Sequence, residues 1–273
     1  MSVKTLSWIM VAAAAVGAAL LFNYWVSYQW LSLLAYAGIV VGLFGLVNVA
    51  VPFRFLGIRS RGVGAGVLAL GVAVTVLALL WPASIVRVAQ AKTTLDNVLP
   101  QYQFSERHSL CIHARPEQVL QAVRESTFGD MRSLNVLLKI RGAGLREGGR
   151  DSEALARDKR ILDAFAASGY VVGGNDRELV MAGGANVRAQ KPLAVRSLQE
   201  FTDCREHGVV KMAFDFTVEP VGDGWSVVTA ETRVLALDET GRVMARYWRL
   251  IAPGSGMLRR QWLDGIRRRA ERG

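Results

Sequence analysis

Two stretches near the C-terminus, "VVKMAFDFTVEP" (209–220) and "WSVVTAETRVLAL" (225–237), decide the fold. Both are strand-like, with period-two patterning, and between them lies Gly222-Asp223-Gly224, residue types that accept the left-handed backbone of a tight turn. They read as one antiparallel hairpin. Upstream, "YVVGG", "ELVMAGG" and "AVRSLQEF" are also strand-like, with turn chemistry at Gly174-Asn175-Asp176, so an antiparallel meander is expected from Tyr170 onward. Asp238-Glu239-Thr240-Gly241 predicts the turn that ends it. The chain then closes on "YWRLIAPGSGMLRRQWLDGIRRRAERG" (247–273), a helix with an apolar stripe of Leu258, Trp262 and Ile266 and a kink expected at Pro253-Gly254-Ser255-Gly256.

Ahead of the meander, "RHSLCIHA" alternates Leu110, Ile112 and Ala114 with Ser109, Cys111 and His113, as a strand does. "RPEQVLQAVRES" places Pro116 at a first helical position and sets Val119, Leu120 and Val123 along one face. "DMRSLNVLLKIRG" and "KRILDAFAASG" predict two more helices, joined by the glycine-rich loop "GAGLREGGRDSEALA". The expected class is α+β, with one curved antiparallel sheet around a long C-terminal helix.

The N-terminal third is different. Leu6–Val26, Leu31–Phe53 and Val63–Val86 are free of charge, and each exceeds the roughly 20 apolar residues needed to cross a bilayer core. Residues 1–87 hold five Lys/Arg (Lys4, Arg54, Arg59, Arg61, Arg87) and no Asp or Glu. Half of the net charge of +10 therefore belongs to membrane-flanking segments, and a basic whole-chain balance is poor evidence for nucleic acid, which is not expected as a partner. The expected organisation is a three-helix transmembrane anchor (1–87), a polar linker (88–104) and a soluble domain (105–273). Lys4, Arg54, Arg59 and Arg61 favour a cytoplasmic N-terminus and an extracytoplasmic C-terminal domain, as for a multi-pass protein of a bacterial inner membrane. Small-residue pairs Ala13/Gly17, Gly38/Gly42 and Gly62/Gly66 permit close helix contact or self-association, and the spans offer no ionisable group for an ion pathway.

The C-terminal motif carries a resemblance. Thr229-Ala230-Glu231-Thr232-Arg233, Asp238, Tyr247-Trp248, Ile251, Pro253, Ser255-Gly256 and the Arg-rich run 267–271, together with "IHARPEQVLQAVRE" and "ILDAFAASGYVV", are similar to uncharacterised bacterial members of the START-like SRPBCC superfamily, over about residues 106–272. The three spans are a departure from simple soluble members. The resemblance implies a helix-grip fold and a hydrophobic cavity between sheet and terminal helix for a lipid, isoprenoid or similar apolar ligand; it does not imply catalysis or a cofactor. Tyr247, Trp248, Met257, Leu258, Trp262 and Ile266 are the expected cavity wall, with Glu231 and Arg233 as an ion pair at its mouth or a staple joining strand to helix. Arg259, Arg260, Arg267 and Arg268 are expected on the opposite side, facing membrane headgroups or solvent.

Other chemistry is thinner. Cys111-x-His113 and Cys204-x-x-His207 are zinc-type ligands at an unusual spacing, so no metal is expected. A Cys111–Cys204 disulfide would fit an oxidising compartment. No Ser-His-Asp set, paired carboxylates or phosphate loop can be assigned. The leading functional expectation is a membrane-anchored binding domain for an apolar ligand. A cyclase- or hydrolase-type enzyme using the same cavity and a non-catalytic envelope interaction module are the alternatives.

Overall fold

The 209–237 hairpin is the centre of the sheet. In the computed structural model, which describes residues 29–51, 60–131 and 158–272, the chain divides into two units. The expected span 6–26, most of the expected helix 130–142 and the glycine-rich loop lie outside the described residues.

The first unit holds α1 (Trp30–Ala50) and α2 (Arg61–Leu80), two helices long and apolar enough to cross a membrane. Two such helices, rather than three, stand among the described residues. They pack closely because glycines let the backbones meet: a Cβ on Gly71 would lie 2.2 Å from the Gly42 nitrogen, and one on Gly45 would lie 2.3 Å from the Leu68 nitrogen. Of the expected small pairs, Gly38 and Gly42 serve this contact, whereas a Cβ on Gly66 would meet nothing within 4 Å. Two polar side chains of the pair bond carbonyls of their own helices, Thr75 that of Gly71 (2.8 Å) and Asn48 that of Phe44 (3.1 Å). Val40, Leu43, Leu70 and Leu77 point outward.

The second unit is α+β. Its short pieces α3 (Thr94–Val98) and β2 (Gln101–Tyr102) occupy the segment expected as a linker, and β1 (Val86–Arg87) takes the end of the expected anchor, whose third span stops as a helix at Leu80 rather than Val86. Then follow β3 (Phe104–Ile112), α4 (Pro116–Glu125), α5 (Ile161–Ala167), β4 (Val171–Gly174), β5 (Glu178–Asn186), β6 (Lys191–Pro192), α6 (Leu198–Asp203), β7 (Val209–Gly222) and β8 (Trp225–Ala236). β1 and β2 pair with each other, and the remaining strands form one antiparallel sheet in the order β3-β8-β7-β5-β4, with β6 on β5. Gly222, Asp223 and Gly224 all adopt positive φ (96°, 50° and 76°), as the tight β7–β8 turn requires. Pro116 opens α4, where its missing N–H costs nothing.

Two expectations are corrected here. "AVRSLQEF" (194–201) is not a strand, and the two-residue β6 precedes it: the Ser197 hydroxyl accepts from the Glu200 N–H at 3.1 Å and starts α6 instead. The S-x-x-E spacing carries that signal. The turn at 238–241 is shorter than expected, because the terminal helix α7 already begins at Thr240 and runs unbroken through Pro253 to Ala270. Within α7, Ala245–Pro253 belong to the first unit and Gly254 onward to the second.

Directly opposed residues of an antiparallel ladder point to the same face, so the register sorts the sheet. One face, built from Ile112, Leu179, Met181, Phe216, Val228 and Ala230, packs on Val119, Leu120 and Val123 of α4 and on Trp262, Leu263 and Ile266 of α7. The other, with Ala182, Ala213 and Leu235, packs on Leu95, Val98 and Leu99 around α3 and on Phe201 of α6.

Candidate functional site

Charged groups are buried on both faces, and the face against α7 is where they meet apolar walls. Glu106 stands opposite Thr232 in the β3–β8 register, and His108 stands opposite Ala230. His108 Nε2 is 2.9 Å from Glu106 Oε1, with both side chains almost fully buried. From α7, the Arg259 guanidinium enters this interior, donates through Nη2 to the Thr232 hydroxyl, and lies 5.0 Å from the Phe214 ring centroid and 5.9 Å from that of Trp262. Burial pulls Arg259 below its ordinary pKa, while the Glu106 and Asp215 carboxylates act in the other direction. Around it, Phe165, Tyr170, Phe214, Phe216 and Trp262 form a continuous aromatic wall, with Phe216 and Trp262 edge-to-face at 4.7 Å.

Three buried polar atoms at this place have no hydrogen-bond partner among the described residues: Glu106 Oε2, Arg259 Nη1 and Trp262 Nε1. Each such atom costs about 1–3 kcal/mol if left unmatched. Together they offer one acceptor and two donors, borne by residues whose neighbours are otherwise aromatic and aliphatic.

The opposite face carries a second network. Arg233 donates from Nε to Glu231 (2.6 Å), from Nη2 to Asp96 (2.7 Å) and from Nη1 to the Leu99 carbonyl (3.4 Å), and it lies 4.8 Å from the Tyr102 ring centroid. Glu178 accepts the Thr94 (2.6 Å) and Leu95 (2.9 Å) N–H groups at the start of α3. Burial tends to raise Asp96, but the Lys92 and Thr93 N–H groups and Arg233 outweigh it and hold its carboxyl below the ordinary value. Asp215 goes the other way: burial, then the Glu231 and Glu178 carboxylates, push it up to about 8. Arg233 is a cation within this acidic patch.

Several expected site residues are therefore displaced. Glu231 and Arg233 face away from α7, and Thr232 takes the inner place, because one step along a strand reverses the face. Trp262 and Ile266 are buried in the core that packs on the sheet, with Leu258 partly buried against it and Met257 half-buried. Tyr247 and Trp248 do not join that wall: they belong to the first unit, Tyr247 exposed and Trp248 buried with its Nε1 donating to Gln29 at 3.1 Å.

Arg259, expected at a membrane surface, is buried. Arg260 is half-buried. Arg267 and Arg268 both bond Asp264, and Arg268 also donates to the Asp130 carbonyl at 3.1 Å, so this basic face is partly neutralised from within. Cys111 and Cys204 are free thiols, not a disulfide. His113 stacks near Trp225, and His207 bonds Asp238 at 3.0 Å, so the two zinc-type halves do not meet. Among the described residues no group of three His, Cys, Asp or Glu side chains is placed to hold a metal.

The sequence reading missed Glu106, His108, Arg259 and Thr232 as a group. The available signal was the even-numbered alternation of β3, which puts Glu106 and His108 on the same face as Ile112. Comparison of the chain with family models, curated proteins and solved structures gives no match.

Proposed function

We propose that the second unit binds an apolar molecule bearing a neutral polar end, such as a lipophilic alcohol, between the sheet and α7, and that α1 and α2 anchor it to a membrane. The observation that carries this reading is the trio of orphaned atoms on Glu106, Arg259 and Trp262 inside an aromatic interior. A hydroxyl matches them: it accepts from two N–H donors and donates to one carboxylate oxygen. An anion would be opposed by Glu106 and a cation by Arg259. The sheet packed on a long terminal helix supports a helix-grip, START-like reading of the fold, with the ligand in the place that resemblance implies.

The finer location belongs to the same proposal: a multi-pass protein of a bacterial inner membrane, N-terminus in the cytoplasm, second unit outside it, with membrane lipids and an apolar small molecule as partners and no nucleic acid. Reporter fusions at the C-terminus test that orientation. For the ligand, the full-length protein in nanodiscs is loaded with a fluorescent lipophilic probe and challenged with hexadecanol, palmitate or hexadecane. Displacement by hexadecanol, weakened in Arg259→Met, is the expected result. Equal displacement by hexadecane, or none by any of the three, overturns the reading. An enzyme reading would rest on the Glu106–His108 pair rather than on Glu231, and Glu106→Gln would then abolish turnover while retaining bound probe.

A further inference from the structure

The segment Ala245–Pro253 of α7 has two faces. Trp248, Arg249 and Ala252 are buried within the first unit, whereas Arg246, Tyr247 and Leu250 point outward. The buried side is pinned to helix ends. Arg249 Nη1 donates to the carbonyls of Ala78 (2.9 Å), Leu79 (3.0 Å) and Trp81 (2.6 Å), which are among the last carbonyls of α2 and the residue that caps it. These acceptors have no helical partner of their own and carry the negative end of the helix dipole, so a guanidinium is well matched to them. Trp248 holds Gln29, the residue that precedes α1, and the Tyr36 hydroxyl donates to the Leu250 carbonyl.

Those contacts set a depth. Tyr36 lies six residues into α1 from Trp30, which at 1.5 Å per residue is about 9 Å along the helix axis. Ala78 lies three residues before Trp81, roughly 4.5 Å. The segment thus spans the first turns of α1 and the last turn of α2, at the end where Trp30 and Trp81 stand exposed, as aromatic residues do at a membrane–water boundary. Its outward face has the composition of that zone: an aliphatic leucine, a tyrosine with a polar tip, and an arginine, a residue type able to lay its stem on apolar surface while its head stays in water.

We infer that the outward face of Ala245–Pro253, through Tyr247, Leu250 and Arg246, lies in the lipid bilayer's interfacial layer, so that α7 is a lipid-contacting element as well as the helix that packs on the sheet. The inference rests on reading α1 and α2 as membrane-spanning. The partner is the bilayer itself, at the boundary between headgroups and acyl chains.

The test uses the full chain in phosphatidylcholine/phosphatidylglycerol vesicles, with Cys111 and Cys204 changed to Ser and a nitroxide placed at Tyr247→Cys, Leu250→Cys or, as a mid-span control, Leu43→Cys. Accessibility to oxygen against a water-soluble nickel chelate then reads depth. Labels at positions 247 and 250 are expected about 5–10 Å below the phosphate level. If position 43 reports lipid while 247 and 250 are open to the nickel reagent, or closed to both reagents as in a protein interface, the inference is overturned. If position 43 does not report lipid, the membrane reading itself falls and the inference with it. Unsubstituted protein labelled with a diazirine phospholipid provides a second measurement, with adducts expected on the peptide containing Tyr247–Leu250 and the inference overturned if they are confined to α1 and α2.

Discussion

At the scale of single residues, buried charges dominate the second unit. Arg259 is compensated by Thr232, by two aromatic faces and by the Glu106 carboxylate opposite Thr232. Arg259→Met leaves Glu106 without that cation, and breaking such a buried arrangement costs about 3–5 kcal/mol, or roughly 6–20 °C in the melting temperature of a domain this size. Adding Glu106→Gln should recover part of the loss, and thermal unfolding of the full chain in mild detergent measures both. Asp215 sets a pH dependence of unusual sign. Its folded-state pKa of about 8 lies above the unfolded value of about 3.9, so between those limits the native state holds a proton that the unfolded chain has released. Stability from this group is therefore complete below about pH 4 and falls as pH rises toward 8, by at most about 1.4 kcal/mol per pH unit. Asp215→Asn should flatten that slope in melting curves taken across this range. Asp96, whose pKa is depressed, acts oppositely: its contribution is present above the ordinary carboxylate range and is lost on strong acidification.

At the scale of elements, short helices are held by the sheet rather than by their own length. The five-residue α3 is far below the length at which an isolated helix persists, and Glu178 of β5 supplies two of its N-terminal acceptors while Arg233 of β8 holds Asp96. Glu178→Ala should cost about 2–4 kcal/mol by stranding these donors. Hydrogen exchange should accelerate at the Thr94 and Leu95 amides while the β7–β8 amides stay protected; unchanged protection at Thr94 and Leu95 would show that Glu178 does not hold the helix. Much of the element order was legible, since Pro116, the Gly222-Asp223-Gly224 turn and the two apolar helices each follow from local chemistry. α6 was misread because apolar residues in "AVRSLQEF" mimic a strand, although Ser197 and Glu200 spell a helix start. The Glu231/Arg233 pair was placed on the wrong face because strand parity depends on a neighbour's register, which no local pattern fixes.

At the scale of the whole molecule, the sequence divides where acidic residues first appear, after residue 87, yet α7 crosses that division. Its first part belongs with the apolar helices through Trp248 and Arg249, and its second part with the sheet through Trp262 and Ile266. An arginine-rich terminal helix suggested an outer face for headgroups, whereas Arg249 and Arg259 are both interior and Arg267 and Arg268 are occupied by Asp264. The cysteines provide a check on the tertiary arrangement. Since both are free, unreduced protein should take up two maleimide groups per chain, Cys111 faster than Cys204 because it is the more exposed. A single label, or none without reductant, would show that the two thiols are bonded.

What the sequence by itself determined is what local physics sets: charge-free stretches of membrane length, three by expectation and two of them within helices among the described residues, a tight hairpin, and period-two strands before a long terminal helix. Which buried charges face each other was decided only by the fold. Glu106, Thr232 and Arg259 lie far apart in the chain and converge because β3 pairs with β8 while α7 packs across that face. A charge is stable in such an interior only when partners from other elements arrive together, and that coincidence is a property of register and packing rather than of any single stretch of residues.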